Sequence, residues 1–358
     1  MNEKSRRPRI GVLFGGRSAE HDVSVLSATN VMRALDPARY EVVPIFIARD
    51  GRWLESALVD GVPARPESGA QLALLPGGKG RMVAIPEDAA PREAAAIDIL
   101  FPVLHGIPGE DGSVQGLAEV ARVPLVGCGI LGSAVALDKD IAKRLLREAG
   151  IPVARALTIR RDAVPAFGDL AAALGLPVFV KPARQGSSVG VSKVASESAY
   201  RAAVEEGFRH DDKLLAEEFV SGREIECSVL EEPDGALFVS RTGEIVPAEA
   251  HGFYTYDAKY VDADGAALRV PAELPEGVED DVRALAARAF RALGCDGMAR
   301  ADFFVTADRR ILVNELNTIP GFTDISMYSK AMAASGVRYA DILDRLIAHA
   351  MARAARSA

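Results

Sequence analysis

Apolar positions in the first third of the chain fall into two periods. A run over residues 9–14 ends in glycines and reads as a buried strand, residues 23–35 carry helical spacing, and 40–47 predict a second strand. The run 97–104 is apolar on both faces, as expected for a central parallel strand, and 123–126 predict a fourth. Between the second strand and this third one, 51–96 is rich in Gly and Pro, contains PGGKG and holds no steady period. It reads as an insertion within a first α/β domain spanning 1–137.

Asp138 has the position of an N-cap. Ile141, Leu145 and Ala149 then recur every four residues, and Gly150 with Pro152 stops the helix. A second unit, 138–220, alternates short elements: a strand over 176–181, a helix over 196–208 with Tyr200, Val204 and Phe208 on one stripe, and a strand over 214–218. After Ser221-Gly222 a third unit, 221–358, begins. Its stretch 224–230 alternates, with Ile225, Cys227 and Val229 on one face, and predicts a half-buried strand. Val278, Val282, Leu285, Ala289 and Leu293 stripe a long helix ending at Gly294. A strand pair follows, then a last helix from Tyr339.

The chain has 358 residues, nearly half of them apolar, and a formal net charge of −8. That balance argues against a general nucleic-acid binder, which shows a basic face. No run of 18 or more apolar residues is present, so no membrane span is expected. The basic start before the first apolar run stops at glycines without a signal-peptide cleavage pattern. Three scattered cysteines, Cys128, Cys227 and Cys295, form no CxxC pair and fit small buried residues in a reducing compartment.

Candidate chemistry sits in three segments. In MARADFFVTADRRILVNELNT, two strand-like runs flank a turn at 306–309. Arg300 and Asp302 share a face, as do Val313, Glu315 and Asn317, while Phe303, Val305, Leu312 and Leu316 fall on the other. An even-numbered turn places the two polar sets opposite each other, with hard oxygens suited to Mg²⁺. A solvated hairpin with an Arg–Glu pair would carry the same pattern. In VFVKPARQGSSVGVSKV, a strand delivers Lys181 to a loop with Gly186, Ser187, Ser188 and Gly190. Such a loop cradles phosphates or simply turns a hairpin. In LLAEEFVSGREIECSV, Glu217, Glu218 and Glu224 suit an adenine amine or ribose hydroxyls, or form an acidic turn. The GCGILG run at 127–132 matches a dinucleotide fingerprint but lacks the acidic residue after a second strand that such a site needs.

Taken together, GGRSAEHDVS (15–24), LHGIPGEDGSVQG, ALDKDIAKRLL, KPARQGSSVG, YDAKY and NELNTIPGFTDISMY (314–328) resemble the D-alanine–D-alanine ligases of bacterial cell-wall synthesis, in family order. The resemblance covers nearly all of the chain outside the insertion. It implies the ATP-grasp fold: a Rossmann-like N-terminal α/β domain, which commonly carries the contacts of a homodimer, and two lobes clamping ATP. It also implies a cytoplasmic enzyme of peptidoglycan synthesis with two Mg²⁺ or Mn²⁺ ions. By this resemblance Glu20 holds the ammonium of the first D-alanine, and Ser187 and Tyr260 connect to Glu20. His105 lies near the first substrate. Lys139 and Lys181 contact the α- and β-phosphates, Lys259 reaches the γ-phosphate, and Ser187 and Ser188 line the nucleotide site. Glu217, Glu218, Phe219, Val220 and Glu224 hold adenosine, and Asn314 and Glu315 also meet ATP. Asp302, Glu315 and Asn317 match the metal ligands. Arg300 and the Gly321 N–H stabilise the oxyanion, and Ser326 with Met327 meets the second D-alanine.

A carboxylate is a poor electrophile, so the implied chemistry passes through an acyl phosphate that needs protection from water. Residues 249–271, with Lys259 and Tyr260, are the candidate lid. In the family, YDAKY-like lids accompany D-alanine rather than D-lactate as second substrate, so Tyr260→Phe is expected to raise depsipeptide synthesis. Two departures are small: Asp22 stands where many members carry Glu, and Gln185 occupies a variable position. A rival ATP-grasp ligase would share Lys181, Asp302, Glu315 and Asn317 but lack the EHDVS and DAKY segments. A non-catalytic nucleotide binder would have lost Arg300 or a metal ligand, and neither is missing.

Overall fold

The computed structural model describes residues 6–247, 266–323 and 326–357. The candidate positions Lys259 and Tyr260, and most of the lid segment 249–271, lie outside the described residues.

The first sheet has seven strands in the order β8-β7-β6-β3-β2-β1-β9. They are β1 (Arg9–Gly15), β2 (Glu41–Ile47), β3 (Trp53–Glu55), β6 (Gln71–Leu74), β7 (Met82–Ile85), β8 (Arg92–Glu93) and β9 (Ile99–Val103), with a separate β4 (Leu58–Val59) and β5 (Val62–Pro63) pair. β1 runs parallel to β2 and β9, and the strands from β3 outward are antiparallel. Helices α1 (His21–Ala34) and α2 (Ser113–Ala121) belong to this part.

Three readings change here. The insertion 51–96 joins the sheet of the first domain: four of its strands extend it, but at two to four residues each they are too short for a readable period. β9 is an edge strand, not a central one. Its full burial comes from cover on both faces, with Ile99, Phe101 and Val103 in the core shared with the last helix and Leu100 in the core shared with α2. Residues 123–126 form a single bridge, Leu100 to Leu125, rather than a strand.

The middle sheet is four-stranded, β10-β13-β11-β12, from β10 (Ala156–Arg160), β11 (Val178–Pro182), β12 (Ser192–Val194) and β13 (Lys213–Glu218). Helices α5 (Phe167–Leu174) and α6 (Glu197–His210) share its core, whereas α3 (Ile130–Leu137) and α4 (Lys139–Glu148) put Ala136, Ala142 and Leu146 into the apolar core that holds Ile225 and Val313. Asp138 caps α4, accepting from the Ile141 N–H at 3.2 Å. The predicted stripe on α4 is wrong: Leu145 and Ala149 are exposed, and the buried face holds Lys139, Asp140, Ala142, Lys143 and Leu146. Charged residues point inward there because each meets an opposite charge: Lys139 with Glu315, Asp140 with Arg144 and Lys213, and Lys143 with Glu217. The GCGILG glycines are packing devices. A Cβ on Gly132 would overlap the Gly294 carbonyl and come 2.8 Å from the Cys295 Cα.

The third sheet, β16-β15-β14-β17-β18, comprises β14 (Gly222–Glu231), β15 (Leu237–Pro247), β16 (Ala266–Arg269), β17 (Met298–Thr306) and β18 (Ile311–Asn317). Its helices are α7 (Val278–Ala292), α8 (Met327–Ala334) and α9 (Tyr339–Ser357). β14 is buried on both faces from Ile225 to Leu230, not on one. It lies between β15 and β17, and its inward polar residues, Glu226 and Ser228, meet partners rather than water. The three cysteines are free and buried. No helix among the described residues is long and apolar enough to cross a membrane.

Candidate functional site

The β17–β18 hairpin pairs Arg300 with Asn317 and Asp302 with Glu315, the expected opposition, although the turn is odd rather than even: next to it Val305 pairs with Ile311 and Phe304 with Leu312. Beyond this point the register shifts, and Phe303 pairs with Val313. Asn314 is therefore the extra residue of a bulge. The bulge overturns the reading that Val313 shares a face with Glu315. Val313 is fully buried in the apolar cluster with Phe303 and Leu316, and Leu312 pairs with Phe304 instead.

On the polar face, Arg300 donates from Nε and Nη2 to the two Asp302 oxygens, both at 2.7 Å, and its Nε lies 3.0 Å from Glu226 Oε2. Asn317 Nδ2 donates to Asp302 Oδ2 at 3.0 Å. Burial opposes the Arg300 charge, but Asp302 and then Glu226 outweigh it and hold the guanidinium firmly protonated. Glu315 faces Lys139, with Nζ to Oε2 at 3.1 Å. Burial works against the Lys139 ammonium too, yet Glu315 raises it above its ordinary value.

Helix α4 projects Lys139 and Lys143 from one face, at the i, i+4 spacing that stacks side chains. Lys139 also donates to the Gln185 carbonyl at 2.9 Å, which ties the helix to the Gly/Ser loop. In that loop Ser187 (φ 51°) and Ser188 (φ 60°) are both left-handed, a strained state for non-glycine residues that turns the loop sharply. The Ser187 hydroxyl donates to Glu20 Oε1. Behind it, Lys181 Nζ lies 2.6 Å from Glu217 Oε2 and Lys143 Nζ lies 3.0 Å from Glu217 Oε1.

Glu20 precedes α1, and nearby stand His105 and Glu110. His105 Nδ1 is 3.1 Å from the Ile319 carbonyl and Nε2 is 3.4 Å from Ser27 Oγ. Burial pushes the His105 pKa down, against the pull of Glu20. A neutral ring at physiological pH donates from Nδ1 to that carbonyl. Glu110 accepts from the Gly106 N–H at 2.6 Å and shares a small pocket with Lys139, Gly186, Glu315, Asn317 and Thr318. Its carboxyl is partly accessible through that pocket, but the protein packed around it, followed by the Glu20 charge, raises its pKa to about 8.

The remaining candidates are placed as follows. Ser326 Oγ accepts from the Thr323 N–H at 3.1 Å, and a Cβ on Gly321 would lie 3.1 Å from that oxygen, so the turn closes tightly. The Met327 side chain is buried against Gly243, leaving only its backbone at the start of α8 for a ligand. Glu218 is turned away from Lys181 and pairs with Arg155 at 2.6 Å. Phe219 is exposed beside Phe179, with Lys193 Nζ 4.3 Å from its ring centroid. Val220 and Glu224 are half-buried at the turn and the start of β14.

Arg300, Asp302 and Asn317 are thus bonded together, Glu315 beside them meets Lys139, and Ser187 joins Glu20. Three residues escaped the sequence reading: Lys143, Glu110 and Glu226. Lys143 was signalled by its spacing from Lys139. Glu110 lies within LHGIPGEDGSVQG, and Glu226 opposes Asp302 across the β14–β17 ladder.

Asp302, Glu315 and the Asn317 amide form a set of hard oxygen donors now balanced by Arg300 and Lys139, which fits Mg²⁺ or Mn²⁺. Among the described residues no group of three or more His, Cys, Asp or Glu could hold a metal by itself. That suits an ion shared with nucleotide phosphates.

Comparison with known proteins gives a consistent match. Residues 9–128 match the family model described as the D-ala D-ala ligase N-terminus, and 145–348 match the D-ala D-ala ligase C-terminus. The D-alanine–D-alanine ligase A of Brucella suis biovar 1 is 68% identical over 349 residues, 98% of this chain and 99% of that protein. The structure of the D-alanine–D-alanine ligase from Coxiella burnetii superposes with a TM-score of 0.85 at 36% identity, over 99% of this chain and 96% of that one. The VanG D-Ala:D-Ser ligase of Enterococcus faecalis gives 0.84 at 34% identity, over 96% and 100%.

Proposed function

The chain belongs to the D-alanine–D-alanine ligase family, and from that premise we propose how its residues join two D-alanines with ATP hydrolysis to ADP and phosphate. The fold is ATP-grasp, as in its structural relatives. The product is the D-alanyl-D-alanine of peptidoglycan precursor synthesis. The observation that carries the residue assignment is that Lys139, Glu315 and Asn317 line one pocket, with Asp302 bonded to Asn317 and Arg300 to Asp302.

The three units are 1–137 for the first substrate, 138–220 for the nucleotide and 221–358 for the metal face and the second substrate. Glu20, held by Ser187, receives the ammonium of the first D-alanine beside His105. The carboxylate oxygen of that D-alanine attacks the γ-phosphorus, the bond to the β-phosphate bridging oxygen breaks, and D-alanyl phosphate and ADP result. Phosphoryl transfer asks for positioning and charge neutralisation rather than covalent help. Lys139 and Lys181 supply cations to the α- and β-phosphates, and Arg300 to the transferring group. Glu217, Phe219, Val220 and Glu224 line the adenosine side. Asp302, Glu315 and Asn317 would hold two Mg²⁺ ions, which when bound neutralise phosphate charge. The neutral amine of the second D-alanine, seated by Ser326 and the Met327 backbone, then attacks the acyl carbon. Arg300 and the Gly321 N–H face the oxyanion as phosphate leaves. The enzyme acts in the cytoplasm as a homodimer joined through residues 1–137.

The intermediate is tested with D-alanine labelled by ¹⁸O in its carboxylate. One label atom should appear in each phosphate released. Phosphate free of label would refute the acyl-phosphate route and, with it, the roles given to Arg300 and Gly321.

A further inference from the structure

Lys143 has no part in the mechanism above, yet it is 1% exposed and among the largest fully buried side chains. Such a lysine is rare unless paired. Its partner is Glu217, 4% exposed, which also holds Lys181, 9% exposed. Two cations and one carboxylate thus share a buried space, with a net charge of +1. A Lys181–Glu217 pair alone would be neutral and complete. The third charge leaves a surplus that an anion must match, and Lys181 is the member near the end of β11, where the chain leads into the Gly/Ser loop. The Lys143 Nζ–Glu217 Oε1 contact, at 3.0 Å, is the longer of the two.

We propose that Lys143 is a positioning residue for nucleotide binding: it keeps Glu217 paired when Lys181 leaves that carboxylate for a phosphate of the nucleotide. The proposal rests on the reading of Lys181 as a phosphate contact. Burial would raise the Glu217 carboxyl, but Lys143 and then Lys181 outweigh it and hold the group ionised. Burial pushes the Lys143 ammonium below its ordinary value, against the pull of Glu217. The ionised Glu217 carboxylate 3.0 Å away favours the charged ammonium. Without Lys143, phosphate would have to win Lys181 from a Glu217 left with no other cation.

The test is the Kd for ATP with Mg²⁺, measured by calorimetry on the full chain and on Lys143→Met, Lys181→Met, Glu217→Gln and the Lys143→Met/Glu217→Gln double variant. Lys143→Met is expected to weaken ATP at least tenfold in the native background and less than twofold beside Glu217→Gln, where no carboxylate remains to retain Lys181. Equal losses in both backgrounds would make Lys143 a packing residue and overturn the proposal, as would no loss at all. Lys181→Met separates the two layers. Unchanged ATP affinity in that variant removes the phosphate contact itself, whereas a loss there with none in Lys143→Met removes only the inference. Lys143→Gln, closer in shape, gives the same comparison if the methionine variant does not fold.

Discussion

Glu226→Gln removes one of the two carboxylates that flank Arg300 while keeping the side chain's size. The Arg300 Nε to Glu226 Oε2 separation is 3.0 Å, and Glu226 is buried. At an effective dielectric of about 20, that pair attracts by about 5–6 kcal/mol. Relief of the buried charge's desolvation offsets several kcal/mol of this. The net loss should resemble that of one charge-assisted hydrogen bond, ~1.5–3 kcal/mol. Arg300 would then rely on Asp302, which the proposed chemistry also asks to hold metal. The arginine loses its permanent anchor at the step where it must face the transferring phosphoryl group. If the whole loss falls on the transition state, kcat drops roughly ten- to a hundredfold. The assay is steady-state phosphate release with saturating D-alanine, ATP and Mg²⁺, accompanied by thermal unfolding. A folded Glu226→Gln enzyme with kcat within twofold of the native value would refute the reasoning, because Asp302 alone would then suffice to place Arg300.

Two further predictions concern stability. Glu110 has its folded pKa raised to about 8, so the folded state binds the extra proton between the ordinary carboxyl range and pH 8. The stability it confers is present below the unfolded pKa and is lost as pH rises toward 8. Denaturant titrations without nucleotide or metal should show that decline flattened in Glu110→Gln, and an identical slope in both proteins would contradict the assignment. Gly132→Ala places a Cβ against the Gly294 carbonyl and Cys295, where backbone has to move. Helix propensity favours alanine by about 1 kcal/mol, but overpacking of roughly 1–3 kcal/mol should win and lower the midpoint of thermal unfolding. A variant as stable as the native chain would show that α3 and the turn after α7 can separate.

The polar faces of the hairpin were legible in the chain because side-chain alternation is a local property. The Arg300/Asn317 and Asp302/Glu315 oppositions were reached for the wrong reason: the turn is odd, with Val305 on Ile311 and Phe304 on Leu312, and the bulge shifts the register by the one residue that restores them. The bulge at Asn314 left no mark in the residue pattern, and Val313 was therefore placed on the wrong face. Burial of polar residues was the larger blind spot. Glu226 looked like the wet side of a half-buried strand, and Lys143 like the outer face of α4. Both are inside because their partners, Arg300 and Glu217, come from distant parts of the chain. Alternation cannot report a partner 74 residues away, which is the separation of Glu226 from Arg300. The short strands between 51 and 96 were missed for a simpler reason: two to four residues cannot display a period.

The most direct measurement is ATP-dependent phosphate release by the full chain with Mg²⁺ and D-alanine, with mass analysis of the product and with L-alanine and D-alanine plus D-lactate in parallel. The account predicts one phosphate per D-alanyl-D-alanine and no turnover with L-alanine. A folded protein that binds ATP yet makes no dipeptide from D-alanine would contradict it.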